Sequence, residues 1–211
     1  MTPILWGRAS SVNVQKVMWA LAETGLAHDR RDAGGRYGVT GTDAFAEMNP
    51  LRRVPVWQED GLTVWESHAI LRHLGRGPAA ALWPEDPAQR APADQWMEFT
   101  STTLLPPFVG VFWQAVRLPA AERCETAMAD QLSALDAALD VLEARLAQVS
   151  WLAGEAFTLA DIAAGAPMFR YHDIAIPRPH RPALADWYAR LCARPAYRKT
   201  VMPSYAELRA R

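Results

Sequence analysis

Every strand signal in this chain lies before residue 78, and the remainder reads as helix. That asymmetry restricts the fold to an α/β unit followed by an all-helical one. Pro3–Trp6 is a short apolar run ending at Gly7 and predicts a strand. Ser10-Ser11 then precede a helical pattern in which Val14, Val17, Met18, Leu21 and Ala22 share a face, and Gly25 ends it. His28–Arg31 predicts a second short strand, and residues 33–42, with four glycines, predict a loop. Asp43–Met48 reads as one or two helical turns stopped at Asn49-Pro50. Val54–Gln58 and Leu62–Trp65 flank Glu59-Asp60-Gly61 as a hairpin, and Glu66–Gly75 follows as a helix. The order is β-α-β-α-β-β-α.

Beyond Gly77-Pro78, the segment Pro84-Glu85-Asp86-Pro87 reads as a linker and helix start. A long helical stretch from Ala88 to about Val116 contains Pro106-Pro107, which should kink or break it. Met128, Leu132, Leu135, Leu139, Leu142 and Leu146 alternate spacings of four and three, the seam of a helix packed on other helices. Thr158-Leu159-Ala160-Asp161 has the form of a capping box, and Arg181–Ala193 is a further amphipathic helix carrying Leu184, Trp187, Tyr188 and Leu191. We expect one domain over residues 1–80 and a second over 87–211.

Composition excludes several classes. A formal charge of −1 argues against nucleic acid or an anionic membrane as the main partner. No apolar run approaches the ~18–20 residues of a membrane span, and the first residues carry neither a basic region nor a long apolar one, so we expect no signal peptide and a cytoplasmic protein. Cys124 and Cys192 are far apart and in no CxxC pair, which excludes a disulfide scaffold or a zinc ribbon. His68 and His73 are five apart and do not share a helix face as metal ligands, and no HExxH, G-x-S-x-G or phosphate loop occurs.

Three short motifs could carry chemistry. A cis proline in Arg53-Val54-Pro55-Val56 would turn the backbone of Val54 outward as a free edge able to pair with a small peptide; the alternative is an ordinary turn proline. Glu66-Ser67 opens a helix directly after a strand, where a free N-terminus attracts a carboxylate and Glu66 can take an ammonium group. Ser10-Ser11-Val12-Asn13 places hydroxyls and an amide at another helix N-terminus, where they could bond an anion. For both helix starts the competing explanation is simple capping.

In company, these segments are specific. Trp6-Gly7-Arg8-Ala9-Ser10-Ser11-Val12-Asn13-Val14-Gln15-Lys16-Val17, the stretch Asp43–Pro55 with its Asn49-Pro50-Leu51-Arg52-Arg53-Val54-Pro55, Glu66-Ser67, Thr158–Asp161 and Arg194-Pro195-Ala196-Tyr197 together resemble a cytosolic glutathione transferase of the bacterial, theta-like, serine-type branch. The resemblance covers nearly the whole chain. It implies a thioredoxin-like N-terminal domain, an all-α C-terminal domain, and a thiolate added to or substituted onto a small hydrophobic electrophile, without a metal. By resemblance Ser11 stabilises the glutathione thiolate, with Asn13 as a second donor and Ser10 as the competing candidate. Val54 pairs with the cysteinyl backbone beside Pro55, Arg53 lies near the glycyl end, and Glu66 and Ser67 hold the γ-glutamyl head. Arg8, Phe108, Phe112, Trp113 and Tyr171 are candidates for the electrophile site, though for any single aromatic core packing is the better reading. The family implies a homodimer, which the nine tryptophans and the long helix would suit. Trp6 stands where other branches carry a catalytic tyrosine, and no cysteine lies near Ser11, which disfavours thiol exchange through the enzyme. A specialised glutathione-dependent isomerase, dehalogenase or lyase, or a non-catalytic interaction module, remain alternatives.

Overall fold

The computed structural model describes residues 2–210. Four strands form one sheet in the order β2-β1-β3-β4: β1 Ile4–Trp6, β2 Asp29–Arg31, β3 Val56–Glu59 and β4 Leu62–Trp65. β1 runs parallel to β2 and antiparallel to β3, which pairs antiparallel with β4. The parallel step needs a crossover, and α1 (Val12–Thr24) supplies it. The hairpin is tighter than the sequence suggested. Its loop is Asp60-Gly61 alone, both with positive φ (46° and 85°), the backbone twist that a two-residue hairpin favours. β3 accordingly starts at Val56, which leaves Val54 outside the ladder; β2 starts at Asp29 instead of His28. α2 (Asp43–Met48) and α3 (Ser67–Gly75) complete the order read from the sequence.

The rest is helical: α4 Pro87–Phe99, α5 Leu105–Phe112, α6 Glu125–Leu146, α7 Leu159–Gly165, α8 Met168–Asp173, α9 Pro182–Ala193 and α10 Pro195–Thr200. Pro106-Pro107 do not break the long helix. One wide π-turn, 100–104, keeps α4 and α5 running as one with right-handed helical backbone on both sides of it, and a second, 113–117, follows α5 before the chain turns extended at Leu118. Leu105 N–H reaches back five residues to the Thr100 carbonyl, so helical bonding resumes just before the prolines, which have no N–H to offer.

α1 lies at the centre. Val14, Val17, Trp19, Ala20 and Leu21 are all buried in one apolar core that extends from Leu5 and Trp57 of the sheet to Leu191 and Tyr197 of the last helices. The Trp19 ring meets that of Tyr197 at 4.6 Å, and Glu23 at the end of α1 is gripped by Arg194 at 2.7 and 2.8 Å. On α3, Arg72 reaches α4, bonding Asp94 at 2.7 Å and also Glu98.

The capping box is present at the start of α7 and does more than cap. The Asp161 carboxylate is fully buried and accepts from the Thr158 and Leu152 backbone N–H groups and from Trp187 Nε1, each at 3.0 Å. Burial pushes its carboxyl up to about 6 against the pull of these donors, so it is mostly ionised at neutral pH. Asp161→Ala would leave three buried donors unpaired at about 1–3 kcal/mol each. The expected loss is at least about 3 kcal/mol in urea unfolding, and a variant of native stability would show that the carboxylate is dispensable.

Candidate active site

The loop between β1 and α1 approaches Val54 closely. Gly7 has φ 149°, and a Cβ there would lie 2.4 Å from Val14 Cγ2 and 3.2 Å from Val54 Cβ, so only glycine fits. The Val54-Pro55 peptide is cis. Val54 itself is half-buried, and among the described residues none hydrogen-bonds its backbone N–H or C=O. Arg53 is exposed; its carbonyl accepts from Asn49 Nδ2 at 2.8 Å.

At α1 the capping explanation fails. Ser11 sits at the N-cap, yet its side chain makes no capping bond, and no acidic residue occupies the first turn. The positive end of the helix and the hydroxyl are both free for an anion. Ser10 is buried, its hydroxyl has no partner, and its carbonyl accepts from Arg170 Nη2 at 2.7 Å. At α3 the outcome is the same. Glu66 is the N-cap residue with φ 68° and no side-chain cap bond, and Ser67 is buried at the first helical position.

Two cavities separate the candidate residues. Asn13, Glu66 and Ser67 line one of about 350 Å³ together with Lys16, His68, Arg72 and Glu98. The Asn13 Oδ1 atom is buried there without a partner. Ser10 and Ser11 line a smaller one of about 90 Å³ with Arg8, Phe108, Phe112 and Trp113. Asn13, two residues beyond Ser11, thus falls on the side of Glu66-Ser67. Tyr171 does not join the second cavity. It lines a different cleft with His172 and Arg178, its carbonyl accepting from Arg178 Nε at 2.9 Å; the preceding residue, Arg170, faces the Ser11 cavity instead.

Lys16 was not singled out in the sequence, and His68 was weighed only with His73 as a metal ligand, yet both line the cavity of Glu66 and Ser67. Lys16 is fully buried, with Nζ 3.0 Å from His68 Nε2. Burial lowers Lys16 to about 7, against the attraction of Glu66. Burial, and then the Lys16 charge, lowers His68 to about 2, so His68 is neutral and accepts from Lys16. The only signal in the sequence was a lysine between Gln15 and Val17, on positions that the helix buries. Among the described residues no cluster of three His, Cys, Asp or Glu is placed to hold a metal ion, and no helix is long and apolar enough to cross a membrane.

An unfolded lysine titrates near ~10.4, so between about pH 7 and pH 9 the unfolded chain binds more protons at Lys16 than the folded one. Unfolding free energy should therefore rise with pH across that window. Urea unfolding at both ends should show wild type gaining about 1–2 kcal/mol more than Lys16→Met. Parallel slopes in the two proteins would mean that Lys16 is charged in the fold.

The comparisons with known proteins bear on the fold and the family. Residues 10–76 match the family model described as glutathione S-transferase, N-terminal domain, and residues 93–195 match the corresponding C-terminal domain. The chain is 37% identical over 201 residues to glutathione S-transferase GstB of Escherichia coli (strain K12), covering 94% of this chain and 97% of that protein. It is 32% identical over 172 residues to glutathione S-transferase theta-1 of Rattus norvegicus, covering 74% of this chain and 68% of that one. A theta class glutathione S-transferase from the citrus canker pathogen Xanthomonas axonopodis pv. citri, crystallised with glutathione bound, superposes with a TM-score of 0.93 at 39% identity over 96% of this chain and 98% of that one. Two family models that together span most of the chain, and a relative 37% identical over nearly its whole length, show that the chain belongs to the glutathione S-transferase family.

Proposed function

We propose that this protein binds glutathione along the Val54 edge and transfers its thiolate to a small electrophile held in the cavity beside Ser11. The observation that carries the reading is the uncapped start of α1, a helix N-terminus with a free hydroxyl and no acidic neighbour. In this reading the γ-glutamyl head sits in the cavity of Glu66, Ser67 and Asn13, where a carboxylate meets the start of α3 and an ammonium meets Glu66. The cysteinyl backbone pairs with Val54, the glycyl carboxylate lies toward exposed Arg53, and the sulfur points at Ser11.

The energetics suit one hydroxyl. A free thiol near ~8.5 is only a few per cent ionised at neutral pH. Lowering it by ~2 units needs about 2.7 kcal/mol. A donor to an anion contributes ~1.5–3 kcal/mol and a helix N-terminus up to ~1. No metal or general-base histidine is required. The thiolate then attacks, and the leaving group or a solvent proton completes the reaction.

The partly exposed Leu51, Leu62 and Trp65 of the N-terminal half support a homodimer in which that half meets the helical half of a second copy. Light scattering at micromolar concentration should then give about twice 23.4 kDa. A monomer would refute the assembly but not the chemistry.

The decisive test is Ser11→Ala, followed by ultraviolet titration of the bound thiolate. The bound pKa should rise by about 1–2 units, and turnover at neutral pH should fall about ten- to a hundred-fold. Retention on immobilised glutathione should persist, because the head-group contacts are separate, and part of the turnover should return at high pH. If Ser11→Ala titrates as wild type while Asn13→Ala or Ser10→Ala does not, the donor is the other residue.

A further inference from the structure

The cavity beside Ser11 is more basic than a pocket for neutral apolar electrophiles needs to be. Three arginines from distant parts of the chain line it: Arg8 from the β1–α1 loop, Arg117 from the end of the long helix and Arg170 from α8. Arg170 is 3% exposed, and its Nη2 is used inside the protein, on the Ser10 carbonyl at 2.7 Å and Gln15 Oε1 at 3.1 Å. Its Nε–H, and that of Arg8, are buried without a partner. The charges are poorly compensated from within. Glu207 is the carboxylate that attracts Arg8, but it is held by Arg36 at 2.8 Å; Asp173 is bonded to the Tyr205 hydroxyl. Burial and then repulsion from Arg117 lower Arg8; burial, with repulsion from Arg8 and Arg117, lowers Arg170 to about 10, which leaves Arg170 charged at neutral pH. Uncompensated buried cations with idle donors are costly unless an anion meets them. Aromatic faces complete the wall: Arg117 stacks over Trp113 at 4.2 Å and Arg170 over Phe112 at 5.3 Å.

The space is small. At about 90 Å³ and partly open to solvent, it takes a carboxylate-sized group against the arginines. Taking the glutathione reading above as its basis, we infer that the electrophile pocket selects a small anionic electrophile, a carboxylate whose reactive carbon lies next to it and toward Ser11. The reaction balances without a co-reactant. For an α-halocarboxylate the thiolate sulfur forms a bond to the carbon, the carbon–halogen bond breaks, and halide leaves with the electron pair. In water this step suffers repulsion between two anions. Arginines around the carboxylate remove that repulsion, so the protein's acceleration is greater for the charged electrophile than for its neutral twin.

Iodoacetate and iodoacetamide are such twins, differing in charge with nearly the same shape. Each would be assayed with glutathione by iodide release, in a Cys124→Ser, Cys192→Ser background so that only the glutathione sulfur is alkylated. The quantity read is kcat/KM divided by the uncatalysed second-order rate constant. We expect this enhancement to be at least tenfold larger for iodoacetate, and the ratio between the two substrates to shrink several-fold in Arg117→Gln and in Arg8→Gln, both checked for fold by circular dichroism. Acetate should compete with iodoacetate in the parent protein and acetamide should not, a measurement that needs no arginine variant. An equal or larger enhancement for iodoacetamide overturns this inference and leaves the transferase reading standing. So does a preference for iodoacetate that neither variant reduces. No enhancement with either substrate, together with loss of retention on immobilised glutathione, overturns both.

Discussion

One buried carboxylate holds the helical half in register. Asp161 gathers the Leu152 and Thr158 N–H groups and the Trp187 indole, and so ties the loop before α7 and the helix α9 to the start of α7. A lone charge at that depth is unfavourable, and only a set of fixed donors makes it tolerable. Once α7 is fixed, α1 has a surface to lie on. Gly165, near the end of α7, leaves room for the Trp19 ring, since a Cβ there would lie 3.1 Å from it. The N-terminus of α1 then projects between the two cavities. The aim of Ser11 thus depends on contacts well over a hundred residues away in sequence.

The site follows from what the two helix starts leave undone. Ser and Glu at N-terminal positions ordinarily cap their own helices. Here neither Ser11 nor Glu66 makes a cap bond with its side chain, so neither residue occupies the first backbone donors of its own helix. In the proposed reading the free backbone of Val54 and the starts of α1 and α3 act together on one peptide.

The sequence made the frame legible because its signals are local. The strand run at Pro3–Trp6, the hairpin turn around Glu59-Asp60-Gly61, the leucine seam of α6 and the Thr158–Asp161 box each rest on local signals. The π-turns escaped because periodicity assumes a fixed pitch, and the proline pair looked like a break when a wider turn upstream accommodates it. Lys16 escaped because a buried lysine is invisible to a rule that sends charge outward, and its partner His68 is supplied by another helix. Tyr171 lines a different cleft, and on α8 it is Arg170 that lines the cavity beside Ser11. Arg117 and Arg170 could not have been paired with Arg8 by spacing, since only the tertiary fold brings the three together.

The interior shared through α1 has a thermodynamic consequence. Much of the sheet, α1 and the terminal helices share one core, with Trp19 edge-on to Tyr197 and Glu23 clasped by Arg194 across the two halves. Neither half retains a complete interior when the other opens, so heat should melt the molecule in one cooperative step, with calorimetric and van't Hoff enthalpies equal. A substitution in α9 or α10 then diminishes the population of competent sites as surely as one beside Ser11, without touching glutathione. Loss of activity in such a variant is a change in the number of working molecules, and the Michaelis constant of those that remain folded is unaltered.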